Sequence, residues 1–212
     1  MPPESPRVVA YGSAASIVDG LGAGVAAVLR DAVVHACATE QLVVTDVVVG
    51  ARSVVVMHDS GAAPAIREIL QHLSTHFATQ PSPTNGSTID IAVRYDGADL
   101  HDVAEHCGLS VNEVVALHSG AKYVVEFCGF SPGFAYLAGL PTSLHLPRRA
   151  TPRPRVPRGA VAIAATYSAV YPRESPGGWH LIGTTTHELW DISRTPPAAL
   201  VPGTSVRFVH AP

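Results

Sequence analysis

From Tyr123 to Asp191, glycine and proline recur between aromatic residues and arginines. Phe127-Cys128-Gly129-Phe130-Ser131-Pro132-Gly133-Phe134 comes first, then Pro147-Arg148-Arg149, then Ser175-Pro176-Gly177-Gly178-Trp179. Proline fixes φ and glycine permits φ > 0, so a chain punctuated in this way breaks into short segments joined by pre-shaped loops. The segments read as strands at Tyr123–Phe127, Ala160–Ala164, His180–Gly183, Glu188–Asp191 and Ser205–Val209. This spacing predicts a β-barrel or sandwich, not a parallel α/β sheet. Rigid loops that expose Phe, Tyr, Trp and Arg from such a frame can hold a ligand at low entropic cost.

The first 79 residues have a different texture. Arg7–Tyr11 and Ala14–Val18 read as short strands, and Leu21–Cys37 has helical spacing through Leu21, Val25, Val28 and Leu29. Val43–Val49 and Ser53–Met57 flank Gly50-Ala51-Arg52 as a hairpin, and Pro64 opens a second helix that runs to about Phe77. The order suggests an open sheet with both helices on one face. Residues 80–88, Gln-Pro-Ser-Pro-Thr-Asn-Gly-Ser-Thr, read as a linker. The expected organisation is α+β: a small α/β domain over 1–84 and a β domain over 85–212. Within the second domain, Ile89–Tyr95 alternates as a strand. Asp99 is placed to cap a helix that stops at Gly108. Ser110 with Glu113 forms a capping box for a helix that carries His118 and stops at Gly120.

Several function classes fall away on charge and spacing. The two short helices around Gly108 outline a helix-turn-helix, yet residues 96–119 hold Asp96, Asp99, Asp102, Glu105 and Glu113 with no Lys or Arg. Phosphate would repel that surface, so no nucleic-acid partner is expected. At 47% apolar and 15% charged residues with net charge -3, the chain is globular and has no general pull toward anionic membranes. With no signal peptide or long apolar run, and with Cys37, Cys107 and Cys128 forming no CxxC pair, it reads as a reduced cytoplasmic protein with no membrane partner. His72 and His76 stand one helical turn apart without a third ligand, so no metal is expected. No Walker or GxGxxG pattern is present.

What remains is an anion-binding pattern. Arg148, Arg149, Arg153, Arg155 and Arg158 alternate with Pro147, Pro152, Pro154 and Pro157. Guanidinium forks held by prolines suit carboxylate or phosphate, with Arg148 and Arg149 as the leading pair. Gly177 and Gly178 let a ligand approach backbone N–H groups, and Trp179 offers a flat wall. His180 and His187 are candidates for proton transfer, and Glu174 for a base.

Three long runs in this region carry a resemblance. Tyr-x-Val-x-Phe-x-Gly-Phe-x-Pro-Gly-Phe-x-Tyr-Leu-x-Gly-Leu-Pro spans Tyr123 to Pro141. Pro-Arg-Arg-x-x-Pro-Arg-x-x-Val-Pro spans Pro147 to Pro157, and Tyr-Pro-x-x-Ser-Pro-Gly-Gly-Trp spans Tyr171 to Trp179. They resemble the B-subunit family of bacterial 5-oxoprolinase, also called allophanate hydrolase subunit 1, which includes a sporulation-kinase inhibitor. The resemblance implies that the C-terminal domain is a cyclophilin-like β-barrel. It implies partners, a C subunit with a related barrel and an A subunit, and a small-molecule substrate. The implied reaction opens 5-oxo-L-proline to L-glutamate with ATP as a substrate of the complex, and this polypeptide on its own is expected to be inactive. Two other roles fit the same likeness: half of a urea-carboxylase-type carboxyltransferase, with biotin as cofactor, or a regulatory inhibitor of a histidine kinase. Ala165, Tyr167, Ala169 and Thr184 depart from the family pattern, and the last removes an arginine beside the expected groove.

On these grounds the expected catalytic residues are Arg148, Arg149 and His180. The expected substrate-binding residues are Phe130, Pro132, Gly133, Phe134, Tyr171, Ser175, Gly177, Gly178 and Trp179.

Overall fold

The structure, a computed structural model, describes residues 5–22, 24–77 and 88–211. The chain divides into two compact units, Met1–Pro83 and Thr84–Pro212. The expected linker at 80–88 lies outside the described residues except for Thr88.

The first unit runs β1 (Arg7–Ala10), β2 (Ala15–Asp19), α1 (Val25–Thr39), β3 (Val44–Val49), β4 (Ser53–His58) and α2 (Ala63–Phe77). The sheet order is β1-β2-β4-β3, antiparallel at every pairing. Val25, Leu29, Val33 and Cys37 recur every four residues as one buried stripe of α1. They meet Ile66 and Leu70 of α2 together with Val18, Val54 and Val56 of the sheet. One core shared in this way places both helices on the same sheet face. Helix α1 begins later than its apolar spacing suggests. Gly24, in the N-cap position, is left-handed at φ 74°, so Leu21 is buried in the lead-in and not in the helix. Burial raises the Cys37 thiol pKa, as suits a packing residue.

The second unit contains β5 (Thr88–Val93), α3 (Leu100–Cys107), α4 (Val111–Gly120), β6 (Tyr123–Cys128), β7 (Ala135–Ala138), β8 (Arg153–Val156) and β9 (Ala160–Ala164). The chain continues through β10 (Tyr167–Val170), β11 (Ser175–Gly177), β12 (His180–Thr184) and β13 (Ser205–His210). Seven strands make one sheet in the order β12-β9-β10-β7-β6-β13-β5, and β8 with β11 forms a separate ribbon. The two sheet edges meet. Arg94 donates its N–H to Thr184 O at 2.9 Å, and Thr184 donates back to Arg94 O at 2.8 Å, which closes the sheet into a barrel. Glycine makes this seam possible: a Cβ at Gly183 would lie 2.6 Å from Arg94 O.

Strand β9 shows how the barrel serves two layers. Period-two alternation sends Val161 and Ile163 into a core with Ile91, Tyr123, Leu137, Ile182, Phe208, Val103 and Val114. The intervening Ala160, Ala162 and Ala164 face a second cluster with Phe134, Tyr171, Trp179 and Leu181. Small alanines on that face leave room for three large rings.

Helix α4 starts with the expected capping box: Glu113 N–H to Ser110 Oγ at 3.3 Å, and Ser110 N–H to Glu113 Oε2 at 2.7 Å. His118, on the same helix, is fully buried between the Tyr95 hydroxyl at Nδ1 and Ser168 Oγ at Nε2, each 2.8 Å away. Burial lowers its pKa to about 3, so it is a neutral packing group.

Two sequence expectations fail here. Glu188–Asp191 forms no strand, only an isolated bridge between Trp190 and Ala198, because Arg194 gathers Glu188 and Asp191 into a turn. Asp99 precedes α3, but its side chain makes no capping bond, since other partners take it.

A candidate ligand-binding cleft in the barrel unit

The cleft begins with the loop between β6 and β7. Phe130 sits there at φ 68°, a left-handed conformation that costs a bulky residue on the order of 1–2 kcal/mol, and the residue is 59% exposed. Backbone strain of this kind clusters at functional positions, and the ring also lies edge-on to Phe134 at 5.2 Å. Gly133, at φ 80°, holds the loop down, because a Cβ there would lie 2.9 Å from Trp190 Cβ. Behind Phe130 stands Phe134, buried edge-on to Tyr136 (5.2 Å), Tyr171 (5.2 Å) and Trp179 (5.7 Å). Edge-to-face pairs contribute about 0.5–1.5 kcal/mol each beyond burial, so this box is stiff.

Five rings (Phe130, Phe134, Tyr136, Tyr171 and Trp179) and the Arg148, Gly177 and Gly178 positions line a cleft of about 100 Å³. Gly177 is required there because any Cβ would collide with the Tyr171 hydroxyl. Burial raises the Tyr171 pKa, against the pull of the Arg148 charge and the Trp179 N–H, so the phenol is neutral and can donate.

The arginines divide sharply. Asp99, 1% exposed, accepts Arg149 Nη1 at 2.6 Å and Arg153 Nη2 at 2.7 Å on Oδ1. On Oδ2 it accepts Arg153 Nη1 at 2.8 Å and the Leu181 N–H at 2.7 Å. Burial pushes the Asp99 pKa up, but the Arg153 and Leu181 hydrogen bonds and the arginine charges prevail and leave it below the usual aspartate value. Arg158 pairs with Glu188 at 3.0 Å, and Arg155 loosely with Glu174 at 3.8 Å, both on the surface. Among the described residues, Arg148 has no carboxylate partner within ion-pair distance.

The structure thus separates the two expected arginines: Arg149 is bound to Asp99, and Arg148 lines the cleft. Of the expected binding residues, Phe130, Phe134, Tyr171, Gly177, Gly178 and Trp179 line it together. Pro132 is exposed at the loop tip, and Gly133 is buried against the 189–190 segment, so neither lines it. Ser175 lies on β11 opposite Val156, with its hydroxyl oxygen buried. His180 turns Nε2 to the Pro147 carbonyl at 2.9 Å and so braces the arginine loop. Thr184 stands at the barrel seam, bonded to Asp96 at 2.7 Å, and not beside the cleft. The Cys128 thiol, raised to about 11 by burial, is no nucleophile. Sequence reasoning did not select Tyr136, though it shares a strand face with Phe134 two residues earlier.

No group of three or more His, Cys, Asp or Glu side chains among the described residues is placed to hold a metal ion. None of the described helices is long and apolar enough to cross a membrane.

Comparison with known proteins agrees with this architecture. The family model for the carboxyltransferase domain, subdomain C and D, matches residues 7–200. The 5-oxoprolinase B subunit of Escherichia coli O157:H7 is 56% identical over 124 residues, 57% of this chain and 57% of that protein. The protein of the same name from Haemophilus influenzae is 38% identical over 170 residues, 78% of this chain and 79% of that protein. The match to the first of these therefore spans little more than half of that relative's length. The Kluyveromyces lactis urea amidolyase superposes with a TM-score of 0.76 over 100% of this chain and 15% of its own, at 18% identity, a likeness of fold.

Proposed function

This chain belongs to the carboxyltransferase subdomain C and D family, and from that premise we propose that it is the B subunit of a heteromeric, ATP-dependent 5-oxoprolinase. The observation that carries the reading is the convergence of Phe130, Arg148 and Trp179 on one stiff cleft in a relative of 5-oxoprolinase B subunits. The reaction opens a lactam, whose amide resonance makes direct attack by water slow. Transfer of the ATP γ-phosphoryl group to the amide oxygen releases ADP and makes the ring carbon electrophilic. Water adds there, and the C–N bond breaks as nitrogen takes a proton. A second water then releases phosphate and leaves L-glutamate. The anions of this sequence need fixed cationic and dipolar partners in a site from which bulk water is excluded.

In this reading the aromatic box holds the substrate and keeps water off it, while the ionic strut of Asp99, Arg149 and Arg153 fixes the loop that presents Arg148. A cleft of about 100 Å³ is far smaller than the roughly 300–1,000 Å³ of complete small-molecule sites. The other polypeptides of the complex supply the remainder, and the isolated chain is inactive.

Co-expression with the C and A subunits tests the reading, by measuring ATP-dependent glutamate release from 5-oxo-L-proline. The expected result is activity from the three together and none from this chain alone. An intact assembly that leaves 5-oxo-L-proline untouched would overturn it, and turnover of urea with a biotinylated carrier would replace it with carboxyl transfer.

A further inference from the structure

We propose that the cleft is a monocarboxylate subsite: Arg148 reads the carboxylate of a small ring compound, and the nucleotide phosphates bind elsewhere. This rests on the functional reading above only for the choice of probe.

Charge points to this first. With Arg149 held by Asp99 and Arg153 committed to the same carboxylate, the cleft presents one guanidinium. One guanidinium fork matches one carboxylate in bidentate geometry. A triphosphate carries several charges and needs several cations or a metal ion to offset them.

Size and surface point the same way. A hollow of about 100 Å³ walled by Phe130, Phe134, Tyr136 and Trp179 admits a single small ring and cannot also enclose a nucleoside. Its walls are flat rings, and Arg148, Tyr136 and Tyr171 bring polar groups to the same lining, as suits a ring that bears a carboxylate. Tyr171 and Arg148 line the cleft together, so a carboxylate held by the guanidinium also has a phenol among its neighbours in the lining. The strained, exposed Phe130 is placed to cover a ligand once one is present.

The test is a binding titration of the full chain carrying Trp190→Phe, so that Trp179 fluorescence reports alone. The probes are 5-oxo-L-proline, 2-pyrrolidinone, which has the ring without the carboxylate, and ATP. The same probes are then applied to the assembled complex. Saturable binding of 5-oxo-L-proline is expected, with 2-pyrrolidinone weaker by about tenfold to a hundredfold, the range for a charge-assisted pair. Arg148→Ala should abolish that preference and leave ATP binding by the complex unchanged. Arg148→Lys should restore part of it.

Three results would overturn the proposal: equal binding of lactam and carboxylate, ATP affinity that depends on Arg148, or no saturable binding of the carboxylate by chain or complex. Carboxylate binding that depends on Arg148 in an assembly without 5-oxoprolinase activity would keep this inference and discard the functional reading.

Discussion

Replacing Asp99 by asparagine should damage this protein more than any other single carboxylate change. The side chain is 1% exposed and accepts four hydrogen bonds of 2.6–2.8 Å, three of them from guanidinium groups. Asparagine keeps the shape but removes the charge and puts N–H donors where acceptors stood. Arg149 and Arg153 are then left partly buried without a counterion. Removing one partner of a buried pair costs about 3–5 kcal/mol. In a unit of this size 1 kcal/mol is worth about 4 °C, so the unfolding midpoint should fall by roughly 12–20 °C. Asp90→Asn is the control: its bonds to Arg207 are as short, but both partners are about half exposed, and its midpoint should stay near wild type. Acid supplies a second readout. The folded-state Asp99 pKa lies below that of an unfolded aspartate. Its stabilisation is therefore complete above about pH 4 and is lost as pH falls through the folded value. The gap between wild type and Asp99→Asn should narrow on acidification and hold steady toward neutral pH. Thermal unfolding followed by circular dichroism measures both effects. A midpoint within about 3 °C of wild type at pH 7, less than 1 kcal/mol, would refute the claim that this carboxylate anchors the arginine loop.

Phe130→Gly should leave stability within about 1 kcal/mol of wild type, because relief of a left-handed backbone offsets the lost ring contacts with Phe134 and Tyr171, while lowering activity of the assembled enzyme at least tenfold; a larger loss of stability together with the loss of activity would make Phe130 a folding residue. Ala165, exposed in a left-handed conformation at φ 51°, predicts that Ala165→Gly stabilises by up to about 1 kcal/mol with activity unchanged, read by urea unfolding. Gly177→Ala forces a methyl against the Tyr171 hydroxyl and should cost about 1–3 kcal/mol as well as ligand binding; calorimetry showing wild-type stability would mean the turn has slack.

The parts of this structure that were legible in the sequence are those governed by local rules. The Ser110–Glu113 box, the glycine stops, the β3–β4 hairpin and the strands at Tyr123, Ala160 and Ser205 follow from periodicity and capping within a few residues. Four strands went unseen. Of these, β8 as Arg-Pro-Arg-Val and β11 as Ser-Pro-Gly have no strand pattern of their own and pair with each other, while β7 and β10 are only four residues long and are held by their neighbours in the barrel sheet. The site divides in the same way. Its aromatic and glycine content was legible because those residues crowd one stretch of chain. Which of two adjacent arginines would remain free was not, because that depends on a carboxylate 50 residues away. Asp99 itself reads as a helix cap, and only the folded barrel brings its carboxylate under the arginine loop.

One kinetic measurement bears most directly on the role of the cleft. Arg148→Ala and Trp179→Leu, each purified in an intact assembly with the C and A subunits, should release glutamate from 5-oxo-L-proline at least about a hundredfold more slowly than wild type. Assemblies of correct composition that turn over at the wild-type rate would show that the chemistry takes place somewhere other than this cleft.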